Sequence, residues 1–260
     1  MWLPERSGFE LMEVAVSNEA VLTVVLFSSL AAGLAGLGAL PYCRGASVPV
    51  RWVGWAYALA SGLMLGAGYV LMADGLGRAT LPVVLGGGLG VAYTYWTHAY
   101  TGTKELETKP AEEYELGYGA KFILLNALHS ASEGVAIGVA MAVSLKLGIF
   151  MALALAVHNI AEAMVLIDFL RTRTMSLGEC AGLCIVTNVP QILLAIVAFS
   201  VTPAVPGILP WALGFASGAL VYLVMTELLP GSYERAGHTG IAFLVSFATG
   251  GVVLLKGFFV

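Results

Sequence analysis

The chain is 260 residues long, 59% hydrophobic and only 11% charged, with a mean hydropathy of +0.89; a soluble globular domain carries about 25% charged residues. That composition excludes a water-soluble fold, and a formal net charge of −4 without a basic cluster offers nothing to nucleic acid. Apolar runs of about 20 residues that do not alternate exclude a β-barrel and fit helices crossing a hydrocarbon core of ~30 Å.

The opening stretch carries Glu5, Arg6, Glu10, Glu13 and Glu19 before the first apolar run. It lacks the basic start of a cleaved signal peptide, so that run is expected to stay as a span. The pattern predicts about eight helices, at 19–40, 52–74, 81–101, 119–143, 148–170, 176–201, 208–229 and 238–259. Proline, glycine and charge collect between them, at 41–51, 74–78, 103–115, 171–173, 202–206 and 230–238. The fold class is therefore an all-α polytopic membrane protein, a single transmembrane domain over 1–260. Glycine runs such as GLAGLGAL (33–40), GGGLG (86–90) and GFASG (214–218) read as faces that let helix backbones approach closely. Cys43, Cys180 and Cys184 suggest no disulfide framework; Cys180 and Cys184 share a helix face as packing residues. The acidic stretch Thr103–Glu115 reads as a solvated connector.

Orientation follows from the 12 Lys and Arg residues, which cytoplasmic loops hold in excess. With the N-terminus outside, eight fall on inner loops (Arg44, Arg51, Lys104, Lys109, Lys121, Arg171, Arg173, Arg235). Four fall outside (Arg6, Arg78, Lys146, Lys256). Both termini are expected to be extracytoplasmic.

Glu133 and Glu162 stand inside apolar spans, where an ionisable side chain costs on the order of 3 kcal/mol. Each follows a histidine by four residues, so His129 with Glu133 and His158 with Glu162 form polar helix faces. The two pairs are 29 residues apart, and a further step of 29 reaches Thr187 and Gln191; the segments read HSASE, HNIAE and TNVPQ. Buried imidazoles and carboxylates at one depth suit a divalent transition metal, whose two charges the two glutamates neutralise. A buried His/Glu chain that relays protons is the other reading of the same residues.

HSASEGVAIG (129–138) resembles the fourth-span signature of the ZIP (Zrt/Irt-like) family of divalent metal transporters, in particular its GufA-like prokaryotic branch. HNIAEA (158–163) resembles the fifth-span signature. GALP (38–41), ASGLMLGAG (60–68) and GFASGALVYLVMTELLP (214–230) resemble the first, second and seventh spans, so the similarity covers nearly the whole chain. The resemblance implies that His129, Glu133, His158 and Glu162 are metal ligands, joined by the Met64 sulfur. It makes Glu227 an exit-path ligand or an interfacial acid. Family members with a two-metal centre have Asn, Asp and Glu where Ser130, Asn159 and Gln191 stand here. With two of those carboxylates replaced by amides, one strong metal site is expected.

The resulting expectation is transport of a divalent metal into the cytoplasm by alternating access, as the resemblance implies. Zinc is the first substrate, with Cd²⁺, Fe²⁺, Mn²⁺, Co²⁺ and Ni²⁺ as alternatives, and no organic cofactor is expected. The alternatives are an intramembrane metallohydrolase, for which no extra base or nucleophile stands out, and a transport-inactive ZIP-like metal sensor. Expected partners are metal ions, the lipid bilayer and a second copy in a homodimer, with no nucleic acid. The expected location is multi-pass in the cell membrane, the inner membrane in a Gram-negative bacterium.

Overall fold

The structure, a computed structural model, describes residues 17–43, 48–101, 118–171, 175–205 and 207–259. Outside these lie the acidic opening, the Thr103–Glu115 connector and the basic residues Arg6, Arg44, Lys104, Lys109 and Arg173. The described residues form eight helical spans and no strand. These are α1 (Asn18–Tyr42), α2 (Val50–Leu76), α3 (Thr80–Thr101), α4 (Tyr118–Val143), α5 (Leu145–Arg171), α6 (Leu177–Ala204), α7 (Ile208–Ala236) and α8 (His238–Phe259). Seven are long and apolar enough to cross a membrane; α3 falls short because glycine, tyrosine and tryptophan dilute it. Large apolar side chains such as Leu26, Leu81, Phe243 and Phe247 point outward, where water would oppose them and lipid does not.

Local chemistry sets the ends and breaks of the helices. Ser17 caps α1 by accepting from Ala20 N–H, with Glu19 in the first turn. Ser176 and Glu179 form a reciprocal capping box at the start of α6. Halfway along, α6 breaks at Asn188 because Pro190 supplies no N–H. The loosened turn is repaired from within: Thr187 Oγ1 and Asn188 Nδ2 both donate to the Cys184 carbonyl, at 3.0 and 2.8 Å. Near its far end α7 widens into a π turn over Val224–Leu228, where Leu229 N–H reaches back to the Val224 carbonyl. Pro230 follows, so the Thr226 carbonyl loses its ordinary donor, and Glu227 sits in the widened turn.

Close backbone approach divides the bundle in two. A methyl group at Gly86 or Gly90 would overlap the carbonyls of Trp211 or Phe215, and one at Gly214 or Gly218 those of Val83 or Gly87, so α3 and α7 lie backbone to backbone. Gly62 and Gly66 press α2 on α8; Gly134 and Gly138 press α4 on the second half of α6; Gly38 presses α1 on α5. Every tight contact made by a described glycine stays within α1, α4, α5 and α6 or within α2, α3, α7 and α8. Side chains meet between the two groups instead, in a core that includes Met64, Leu71, Ile137, Met151, Leu155 and Leu220. A smaller cluster around Tyr42, Leu166 and Leu170 takes in Cys180 and Cys184, both buried as packing residues.

Candidate metal centre

Helices α4 and α5 each carry a histidine and a glutamate one turn apart, and their packing brings three of the four together. His158 Nε2 lies 3.0 Å from Glu133 Oε1 and 3.6 Å from Glu162 Oε2. Two ligands of a tetrahedral zinc with bonds near 2.0–2.1 Å stand roughly 3.3 Å apart, a value these two separations bracket. His158 and Glu133 are fully buried. Glu133 Oε2 and His158 Nδ1 have no hydrogen-bond partner. A buried carboxylate oxygen without a donor is costly, and a cation accepted between the two carboxylates offsets that cost.

His129 faces a second group. Its Nε2 is 3.8 Å from Glu227 Oε1, and the same oxygen is 2.6 Å from His98 Nε2, the two imidazole rings being 5.0 Å apart. The ligand atoms of each trio lie within 4.8 Å of one another, close enough to hold an ion. Four residues of helix rise ~6 Å along the axis, which is why His129 and Glu133 share a face yet serve neighbouring groups. The first trio belongs wholly to α4 and α5, whereas the second joins α4 to α3 and α7. A cavity of about 30 Å³, room for about two waters, is lined by Glu162 of the first trio, by His129 and Glu227 of the second, and by Asn126 and Tyr57.

The positions of the expected second site hold neutral groups in a tight hydrogen-bonded seam. Asn159 Nδ2 donates to the Ala31 carbonyl at 3.1 Å and to Gln191 Oε1 at 2.9 Å; Gln191 N–H donates to Ser130 Oγ at 3.2 Å. A carbonyl only accepts, so Ala31 fixes which way the Asn159 amide points. Ser130, Asn159 and Gln191 thus tie α1, α4, α5 and α6 together beside the first trio. Met64 is fully buried in the main core.

Two residues of this region escaped the sequence reading. His98 has no acid at helical spacing, and only the inventory of all four histidines, three of which gather here, pointed to it. Asn126 lies seven residues before Glu133, on the same face of α4, and its Nδ2 donates to Glu162 Oε1 at 2.8 Å.

The family model of the ZIP zinc transporters matches residues 97–258, a stretch that contains all six members of the two trios. An Arabidopsis thaliana protein named as a zinc transporter is 30% identical over 247 residues, covering 92% of this chain and 39% of the relative. Zinc transporter GufA of Myxococcus xanthus is 31% identical over 128 residues, covering 46% of this chain and 49% of the relative. In each case the match spans less than half the relative's length. Helices, the two His/Glu trios and the matched segment agree: the chain belongs to the ZIP zinc transporter family.

Proposed function

We propose that the chain carries a divalent metal, zinc first, across the cell membrane into the cytoplasm. The observation that carries this reading is the Glu133–His158–Glu162 trio, whose Glu162 lines one cavity with His129 and Glu227 of a second trio that His98 completes. Two carboxylates balance one dication, and the mixed nitrogen and oxygen set suits zinc without a ligand-field preference. Cd²⁺, Fe²⁺, Mn²⁺, Co²⁺ and Ni²⁺ are alternative cargoes. The amides at Asn159 and Gln191 add no charge, which supports one strong site beside them.

On the charge rule the end of the bundle bearing Arg171 and Arg235 is cytoplasmic and both termini are outside. The cavity lies in that half, whereas Ile137, Met151 and Leu155 are buried in the opposite half; this is the cytoplasm-facing form. His129, on α4, then receives the ion from Glu162 and shares it with His98 and Glu227 on α3 and α7. Access alternates as the group α1, α4, α5 and α6 moves against α2, α3, α7 and α8.

Uptake into proteoliposomes across a panel of these metals tests the proposal. Saturable zinc uptake is expected, lost when Glu133 and Glu162 are both changed to alanine. Wild-type rates in that double variant would remove the site, and absence of uptake of any metal by the wild type would remove the function.

A further inference from the structure

Glu162 is held from two sides. Its Oε2 faces His158 at 3.6 Å, and its Oε1 accepts from Asn126 at 2.8 Å. Because a carboxylate has no hydrogen to give, the atom Asn126 presents is its amide nitrogen. Asn126 is 8% exposed and stands on the cavity wall with Glu162, one turn before His129 on α4. Its residue type fits that place. A lysine or arginine would cancel the charge that draws the cation, and a further carboxylate would repel Glu162. An apolar side chain would leave Oε1 without a donor and the carboxylate free to rotate. A carboxamide donates without adding charge.

We propose that Asn126 is a positioning residue for the transported ion: by holding Oε1 on the cavity side it aims the remaining oxygen of Glu162 at the ion shared with Glu133 and His158. Glu162 is thereby kept as a one-oxygen ligand, oriented before the ion arrives. This rests on the metal reading of the Glu133–His158–Glu162 trio. Partners that orient a ligand without touching the ion are worth 10- to 100-fold in affinity or activity at metal sites, and the lower end of that range suits a single neutral donor.

Asn126→Leu keeps the branched shape and removes the donor, and Asn126→Gln restores an amide on a longer arm. Zinc uptake in proteoliposomes is expected to show KM raised about tenfold in Asn126→Leu, with Vmax per inserted protein kept within about twofold. Asn126→Gln should recover most of the KM. Zinc binding to purified protein in detergent, measured by equilibrium dialysis, should weaken by the same factor in Asn126→Leu. Added to Glu162→Gln, the Asn126→Leu change should weaken binding no further, because the two act through one contact.

An unchanged KM in Asn126→Leu with lowered Vmax or protein yield would reduce Asn126 to a packing role and overturn the inference, as would full additivity with Glu162→Gln. The metal reading fails separately, if the Glu133→Ala, Glu162→Ala double variant binds and transports zinc as the wild type does.

Discussion

Glu133 is sealed from every solvent, and one of its carboxylate oxygens has no hydrogen-bond donor. Removing that carboxylate leaves a dication half-neutralised in a dry place, so Glu133→Ala should lower zinc uptake by at least a hundredfold while the protein still inserts; flux per transporter, scaled to the amount in the membrane, checks it. His98→Ala and His129→Ala act on the second trio and should lower Vmax more than affinity. Charge can also be added: Asn159→Asp with Gln191→Glu places four carboxylates together. That variant should be less stable than wild type without metal and should hold nearly two zinc equivalents per chain where the wild type holds about one, counted by equilibrium dialysis. The pairing of His158 with Glu133 and Glu162 was legible because helical spacing and the repeat of 29 put them at one depth. The separation of His129 from them was not, since a shared face says nothing of the ~6 Å rise between two turns. His98 and Asn126 were illegible for a related reason: each meets its partner across helices far apart in sequence.

Glycine runs announced close helix packing, but the partner of each run is a tertiary fact. Gly90 faces the Phe215 carbonyl and Gly88 faces open space, although they sit two residues apart in GGGLG. Gly90→Ala should therefore cost about 2–3 kcal/mol as α3 is pushed off α7. Gly88→Ala should be neutral or stabilising by up to about 1 kcal/mol, the helix propensity gain. Thermal unfolding of the two variants in detergent separates them, and equal shifts would refute the backbone-to-backbone packing. The sequence pattern runs 176–201 as one helix although Pro190 signals a break, and the seam this leaves for Gln191 to reach Ser130 requires the neighbouring helix. The π turn around Glu227 had Pro230 as its signal; a proline in a span says that a carbonyl is freed, not how the turn widens to absorb it.

At the scale of the whole molecule, tight glycine contacts stay within each four-helix group, and polar contacts between the groups gather beside His129. There Tyr93 Oη donates to the Leu128 carbonyl at 2.8 Å, joining α3 to α4. Tyr93→Phe should shift the equilibrium away from the cytoplasm-facing form proposed above by about fivefold, the worth of roughly 1 kcal/mol. A cysteine at Val165, on the cavity wall, in a background lacking Cys43, Cys180 and Cys184, reports it: labelling from the cytoplasmic side should slow in proportion, and an unchanged rate would show that the bond holds no state. The neutral seam at Asn159 and Gln191 has an electrical consequence for the return journey. In the carrier cycle proposed above, with Glu133 and Glu162 ionised, a site loaded with one dication crosses uncharged, and the empty site goes back carrying two negative charges. An interior-negative membrane pushes those charges outward, by up to ~2.3 kcal/mol per charge for each 100 mV. Zinc influx at saturating external metal should thus quicken under a potassium diffusion potential that makes vesicles negative inside, and slow when the polarity is reversed. Four carboxylates in place of two would leave the carrier negatively charged even with one dication bound, and a single ion would then no longer travel silently.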